Sequence, residues 1–240
     1  MRPDPQAADY FAGKRFETDF DFQLQQEPDD ARFIGRIALL KERLAGLKVL
    51  HLGFLDHSLD EIRSKMTNNK WLHSELMGVC KRIAGIDLDP KAVADVRTEF
   101  GIGDIFAADI TGPLPEEIAS EAWDVVLIGE VIEHIPNPLS FLQAARPNLA
   151  KLSKRQLFTT PNGLAGSPPR FRTFEKINSD HRYLFTPYTL SKVLFEAGYG
   201  VERIETCNFG AVKPGNWLRN GHYARNPLKR STLVVWSTTG

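Results

Sequence analysis

Ionisable residues cluster immediately after one strongly apolar segment of the chain. Residues Val125 to Ile128 form an uninterrupted apolar run, and Gly129, Glu130 and the pair Glu133–His134 follow it. Such a run predicts a strand that is buried on both faces of a parallel sheet. Open α/β sheets bind their ligands beyond the carboxyl ends of their strands, so we expect these polar residues to line a ligand-binding edge.

Three further strand ends carry residue types that suit a nucleoside. Gly53 ends the predicted strand 49–52, and a glycine there lets a ligand approach the backbone closely. Asp87 ends the predicted strand 83–87, where a carboxylate can accept hydrogen bonds from both hydroxyls of a ribose. Asp109 follows the predicted strand 104–107 and could accept from an adenine amino group. Each residue alone could be an ordinary turn residue, but the three in succession favour one shared site.

The elements that must position these residues alternate between strands and helices. Further strands are predicted at 155–160, 201–207 and 232–238, and no clear helix separates the last two. Helices are predicted from Asp29 to Gly46, from Leu59 to Met66, from Trp71 to Lys81, and after the caps Asp89–Pro90, Asn137–Pro138 and Thr186–Pro187. This alternation predicts an α/β fold with a Rossmann-like, doubly wound, mostly parallel seven-stranded sheet and one antiparallel strand near the C-terminus.

Composition excludes several classes of protein. Lys+Arg and Asp+Glu are both 30, which argues against a surface built mainly for nucleic acid or an anionic membrane, although a local basic patch is compatible with it. The two cysteines, Cys80 and Cys207, form no CxxC pair that would indicate a zinc site or a disulfide framework. No apolar stretch approaches the ~20 residues that span a bilayer, and the first residues do not resemble a signal peptide. We therefore expect a soluble, cytoplasmic protein; the oligomeric state is not predicted.

Four motifs together resemble those of the class I S-adenosylmethionine-dependent methyltransferases. They are VLHLG (49–53), AGIDLD (84–89), AADI (107–110) and, most specifically, WDVVLIGEVIEHIPNPLSFL (123–142). The later segments TPN (160–162) and DHRYLFTPYTLSKVLFEAGY (180–199) also resemble this family. VLHLG together with WLH (71–73) is similar to a bacterial subset that is found with glycan-assembly genes.

The resemblance implies S-adenosyl-L-methionine as the cofactor. The cofactor contacts that it implies are Gly53, Asp87, Leu88, Asp109, Ile110, Gly129 and Glu130. It also implies one methyltransferase domain over residues 1–240, with an N-terminal arm (1–28) that lies over the core or a substrate cleft, a cofactor-binding half (29–163) and an acceptor-side half (164–240).

The first motif departs from the family pattern. The family usually has an aspartate at the position of His51 and a GxGxG loop where residues 53–57, Gly-Phe-Leu-Asp-His, stand. We hypothesise that Asp56 or His57, together with Trp71 or His73, replaces the missing contacts of the glycine loop.

The reaction that the resemblance implies is in-line transfer of a methyl group, for which alignment and proton removal matter most. A hydroxyl acceptor benefits from a base that is active near neutral pH, typically a histidine. His134 and His181 are the candidates for this base, although each could instead only bond to its own loop. The basic, aromatic loop 209–230 suits a flat polar or anionic acceptor, or is simply a solvated loop. We expect methylation of a hydroxyl on a sugar, a glycan or another small polar molecule.

Three alternative functions remain. The degraded glycine loop would suit a catalytically inactive, methyltransferase-like scaffold that assists a partner, but the retained ribose and adenine positions argue against it. Tyr188 and Lys192 have the YxxxK spacing of NAD(P)-dependent short-chain dehydrogenases, yet the chain lacks their N-terminal glycine-rich loop. The third alternative is a metal-dependent methyltransferase, since Asp and His are frequent near the predicted site. No spacing resembles a set of metal ligands, so we predict no metal ion in the reaction.

Overall fold

The computed structural model describes residues 1–165 and 177–239, in which strands and helices alternate along most of the chain. Its elements are, in chain order, β1 (Arg2–Pro3), α1 (Ala7–Phe11), β2 (Leu24–Gln25), α2 (Arg36–Leu44), β3 (Lys48–Leu52), α3 (Leu59–Thr67), α4 (Leu72–Met77), β4 (Arg82–Asp87), α5 (Pro90–Phe100), β5 (Ile105–Ala107), α6 (Glu116–Ala119), β6 (Val125–Gly129), α7 (Pro138–Leu152), β7 (Arg155–Pro161), α8 (Pro187–Glu196), β8 (Gly200–Cys207), α9 (Trp217–Arg225) and β9 (Thr232–Thr238). Short 3₁₀ turns cover Pro28–Ala31, Ile132–His134 and Pro227–Lys229.

The central sheet has seven strands in the order β5-β4-β3-β6-β7-β9-β8 within the described ranges. Neighbouring strands from β5 to β7 are parallel, and β9 is antiparallel to both β7 and β8. The predicted fold class, including the single antiparallel strand near the C-terminus, is confirmed. The strand order reverses between β3 and β6, and the crevice at this reversal is where open α/β sheets bind ligands.

Strand β6 lies at the centre of the core, as its apolar run predicts. Its side chains alternate between the two faces of the sheet, and all are buried. Val126 and Ile128 pack in the cluster that includes residues of α7 and α8, and Val125 and Leu127 pack in the cluster that includes residues of α2 and α4. Burial on both faces fixes the position of the segment that follows β6, which carries Glu130, Glu133 and His134.

Two predicted helices are shorter in the structure. The helix expected from Asp29 begins only at Arg36, because Pro28–Ala31 forms a separate 3₁₀ turn that is closed by a capping box between Glu27 and Asp30. The helix expected from Trp71 to Lys81 covers only Leu72–Met77 and stops at Gly78, after which the chain turns into β4.

The loop expected over residues 209–230 contains a helix, α9. Its sequence has only a weak apolar pattern, and contacts distant in sequence stabilise it instead. The Tyr223 ring stacks on that of Phe33 with centroids 5.1 Å apart. The buried Arg230 donates from Nε to the Tyr223 carbonyl oxygen at 2.9 Å. The prediction of an irregular stretch over 164–185 lies partly outside the described residues.

The N-terminal arm packs on the outside of α8 and β8. The rings of Phe11, Phe20 and Phe22 lie 5.5–5.9 Å from the ring of Tyr188. Lys192 Nζ lies 3.4 Å from the carbonyl oxygen of Tyr10. Both residues of the YxxxK spacing therefore hold the arm in place. None of the helices within the described ranges has the length and apolarity that crossing a membrane requires.

Candidate functional site

Gly53 follows the carboxyl end of β3 and packs against Val131, in the segment that follows β6. It has a φ of +71°, and its N–H donates to the carbonyl oxygen of Ile86 at 2.9 Å. A Cβ at this position would lie 2.4 Å from Cγ2 of Val131. Both the left-handed backbone and the close approach require glycine.

The loop after Gly53 is held in place by the buried side chain of Phe54. Phe54 stands at a position where the GxGxG loop of class I methyltransferases would lie. Phe54 is only 2% exposed and packs over Gly85, where an added Cβ would lie 2.7 Å from its Cδ1. Trp71 Nε1 donates to the Phe54 carbonyl oxygen at 3.0 Å. These contacts give the loop a rigid path without the conformational freedom of further glycines.

Two buried histidines lie beneath this loop. Nδ1 of His51 is 3.2 Å from Nδ1 of His73, so one nitrogen donates and the other accepts. Burial lowers the pKa of His51 well below its usual value and that of His73 to about 4, so both rings are neutral near pH 7. His73 has no exposed surface and packs against Phe54. In this structure it supports the loop from below, and direct contact with a cofactor stays a prediction.

Of the other two predicted replacements for the glycine loop, Asp56 is half-buried and His57 lies at the surface. The Asp56 carboxylate is paired with Lys65, and His57 is exposed. Both line a pocket of about 170 Å³ with Asp87. The carboxylate of Asp87 accepts from the N–H of Leu55 at 3.3 Å and of Leu88 at 2.7 Å, and burial raises its pKa. Asp87 therefore joins the loop after β3 to the end of β4.

The two residues predicted to bind adenine, Asp109 and Ile110, differ in exposure. Asp109 is exposed, and its Oδ1 accepts from both the N–H and the hydroxyl of Thr111 at 2.8 Å. The side chain of Ile110 is 2% exposed within the core, and its carbonyl oxygen accepts from Asn148 Nδ2 at 2.8 Å. Only Asp109 of this pair presents its side chain to solvent.

Glu130 has a strained backbone and a charged partner that the sequence did not suggest. It follows the buried Gly129 and has a φ of +56°, which is unusual for a residue other than glycine. Its Oε1 is 3.2 Å from Nη1 of Arg36, whose guanidinium carbon lies 4.5 Å from the ring centroid of Phe209. Arg36 is 94 positions away from Glu130 in the numbering, and no local pattern predicts such a contact.

Glu133 is a buried carboxyl group with one unused oxygen. The residue has no exposed surface, and Oε2 accepts from the hydroxyl of Thr160 at 3.0 Å. Oε1 has no hydrogen-bond partner among the described residues. Burial, followed by the nearby Glu130 charge, raises the pKa of Glu133 to about 8. The carboxyl group is therefore largely protonated at pH 7 in the absence of a cation.

The structure brings the two candidate histidines together beside Glu133. The rings of His134 and His181 lie edge to face with centroids 4.8 Å apart. The segment carrying His181 is held in place by Arg182, whose N–H donates to the Glu133 carbonyl oxygen at 2.9 Å and whose Nε donates to that of His134 at 3.0 Å. Asp180 Oδ2 lies 3.9 Å from Nδ1 of His134.

Glu133, His134 and His181 form a group that could hold a metal ion. One ligand atom from each lies within 4.8 Å of the others. The sequence predicted that Glu133 and His134 line a ligand-binding edge, but no spacing indicated that they could share a metal ion with His181. The available signal was the occurrence of acid–histidine pairs, of which the chain has three, Asp56–His57, Glu133–His134 and Asp180–His181. The fold brings the last two side by side and also places His57 Nδ1 3.9 Å from Asp180 Oδ2.

The sequence and structure comparisons that gave matches are with methyltransferases. A family model described as a methyltransferase domain matches residues 67–151. No curated protein shows significant sequence similarity to the chain. Among solved structures, the small RNA methyltransferase HEN1 is similar at 13% identity and a TM-score of 0.53, covering 93% of this chain and 27% of that one.

Two further structures are similar over most of both chains. A SAM-dependent methyltransferase from Aquifex aeolicus is 14% identical, covers 89% of this chain and 94% of that one, and has a TM-score of 0.49. The N-methyltransferase NodS from Bradyrhizobium japonicum WM9, in complex with S-adenosyl-L-homocysteine, is 14% identical, covers 85% and 83%, and has a TM-score of 0.49. At these identities the structural likeness concerns the fold.

Proposed function

We propose that this chain is a class I S-adenosyl-L-methionine-dependent methyltransferase, as the matched methyltransferase-domain model supports, and that it transfers a methyl group to a hydroxyl of a sugar, a glycan or another small polar molecule. The convergence of Glu133, His134 and His181 just beyond β6 carries this proposal. The sequence likeness of VLHLG and WLH to a glycan-associated subset favours a sugar among the possible acceptors.

The strand ends proposed to bind the cofactor contact the segment that carries the candidate histidine base. Gly53 touches Val131, and Val131 lies between Glu130 and the Glu133–His134 pair. When bound, the cofactor supplies a methyl group on a positively charged sulfur. Gly53 allows its close approach to the backbone, and Asp87 accepts hydrogen bonds from the ribose hydroxyls. Asp109 and Leu88 lie at the neighbouring strand ends, where the adenine would bind.

A histidine in the cluster removes the acceptor proton. Burial, followed by the nearby His134, lowers the pKa of His181, so its ring is neutral at pH 7 and can accept a proton. Nε2 of His181 lies 3.2 Å from Nδ2 of Asn178.

We expect S-adenosyl-L-methionine and S-adenosylhomocysteine to bind with micromolar affinity and Asp87→Ala to weaken binding at least about tenfold, because the ribose hydroxyls lose their acceptor. Isothermal titration calorimetry measures this. Asp95→Ala is the matched control, because Asp95 is a carboxylate on α5 that is paired only with Lys91 among the described contacts. A folded protein that binds neither molecule would support the scaffold alternative, for which the buried Phe54 in place of a glycine loop is the specific observation.

We expect His134→Ala and His181→Ala to lower the rate constant of methyl transfer, the residue acting as base by about 10²–10⁴-fold. Transfer of radiolabelled methyl groups to a panel of sugars and glycans measures it, with Lys154→Ala, at an exposed residue between α7 and β7, as the control. The assay is run with EDTA and then with added Mg²⁺ or Mn²⁺. Full activity in EDTA supports a histidine base, whereas activity that depends on a divalent cation would contradict that role and assign the cluster as a metal site.

A further inference from the structure

A group of exposed apolar and basic side chains lies between β8 and β9. Trp217 is 72% exposed, Leu218 69% and Phe209 56%. The basic residues beside them are exposed as well. We call these residues together the α9 surface: Phe209, Trp217 and Leu218 with Lys213, Arg219, His222 and Arg225.

The α9 surface is held in place from below. Tyr223 stacks on Phe33, and the guanidinium of Arg219 lies 5.6 Å from the Tyr223 ring centroid. Arg230 is 2% exposed and donates from Nη2 to the Asp30 carbonyl oxygen at 2.7 Å. Trp217 and Leu218 thus project from a fixed support.

The chain segment that carries these apolar residues has charges of one sign. From residue 206 to residue 240 the chain has no Asp or Glu, although the whole protein has as many acidic as basic residues. Exposed basic side chains occur at Lys213, Arg219, Arg225 and Lys229. The zero net charge of the protein conceals this local positive region, which attracts an anionic partner.

The α9 surface lies on the same edge of the sheet as the candidate functional site. It follows the carboxyl end of β8, which runs in the same direction as β3, β4 and β6 because both β7 and β8 are antiparallel to β9. Arg36 contacts both Phe209 and Glu130, so the two regions are one side chain apart.

We propose that the α9 surface binds the headgroup region of an anionic lipid bilayer. Trp217 and Leu218 enter the boundary between headgroups and acyl chains, and Lys213, Arg219 and Arg225 contact the lipid phosphates. A protruding leucine beside a tryptophan favours lipid over single-stranded nucleic acid, since bases stack on aromatic rings and gain little from an aliphatic side chain. Bound in this way, the protein faces the bilayer with the edge that holds its cofactor site, which suits an acceptor carried at the membrane surface.

Flotation of the full chain with vesicles tests this proposal. We expect binding to vesicles of equimolar phosphatidylglycerol and phosphatidylcholine, little binding to phosphatidylcholine alone, and release at high salt. The double variant Trp217→Ala/Leu218→Ala should bind about tenfold more weakly. Phe16→Ala is the matched control, because Phe16 is 89% exposed on the N-terminal arm, and it should bind like the unchanged protein.

Tryptophan fluorescence gives a second readout. All four tryptophans lie in the described ranges; Trp71, Trp123 and Trp236 are at most 4% exposed, so Trp217 is the one that can report a change of environment at the surface. A blue shift with anionic vesicles, absent in Trp217→Phe, supports the proposal. No flotation with anionic vesicles, undiminished flotation of the double variant, or tight binding of a single-stranded RNA in place of vesicles would overturn it, whatever the outcome of the methyl-transfer assays.

Discussion

Gly53→Ala is expected to lower the free energy of unfolding by about 2–5 kcal/mol and to abolish detectable binding of S-adenosyl-L-methionine. Two costs contribute. A residue with a Cβ pays about 1–2 kcal/mol for the left-handed backbone that Gly53 adopts at a φ of +71°. The new methyl group would also lie 2.4 Å from Val131 Cγ2, and relieving such an overlap in a packed region costs about 1–3 kcal/mol.

Gly46→Ala separates these two costs. Gly46 has nearly the same backbone conformation, with a φ of +74°, but a Cβ there would meet nothing within 4 Å. This control should lose only the conformational share, about 1–2 kcal/mol. Urea denaturation of both variants and calorimetric titration with the cofactor provide the comparison. If the two variants were equally stable and Gly53→Ala still bound the cofactor, the contact between Gly53 and Val131 would not matter.

The buried pair of His51 and His73 is expected to make the fold acid-sensitive above the pH range in which carboxylates protonate. Both histidines have pKa values lowered on folding, that of His73 from 6.5 to about 4. The unfolded chain therefore takes up their protons first, and the stability they contribute is present above pH 6.5 and is lost as the pH falls toward 4. Between pH 7 and pH 5, His73 alone should cost about 2 kcal/mol, and His51 adds a loss of the same sign.

Chemical denaturation at pH 7 and pH 5 tests this sensitivity. His73→Phe keeps a flat ring against Phe54 and removes one titrating group, so the stability of this variant should fall less between the two pH values. His222→Phe, at an exposed histidine on α9, should leave the pH dependence unchanged. An unchanged pH dependence in His73→Phe would show that the buried pair does not govern acid sensitivity.

Local sequence patterns predicted those parts of the fold that depend on local physical chemistry. The apolar run of residues 125–128 predicted a strand that is buried on both faces, and β6 is such a strand. Asp89 and Asn137 cap the helices that they precede, as their residue types predicted. The α9 helix escaped prediction because its stability comes from Phe33 and Arg230, which contact it across the fold.

The candidate site was predictable at its strand ends and not between them. Gly53, Asp87 and Glu130 follow apolar strands, so periodicity locates them. The contact between Arg36 and Glu130, the seat of Phe54 over Gly85, and the convergence of two acid–histidine pairs all join segments distant in sequence. No spacing within one segment encodes such contacts.

Arg36 lies between the α9 surface and the site beside Glu130, so ligand binding in these two regions is expected to be coupled. Its guanidinium lies against Phe209 and pairs with Glu130, so a ligand that displaces one neighbour changes the free energy of the other. If occupancy of the α9 surface shifts Phe209, the affinity of the site beside Glu130 must change by some factor. Linkage then requires that occupancy of that site change the affinity of the α9 surface by the same factor.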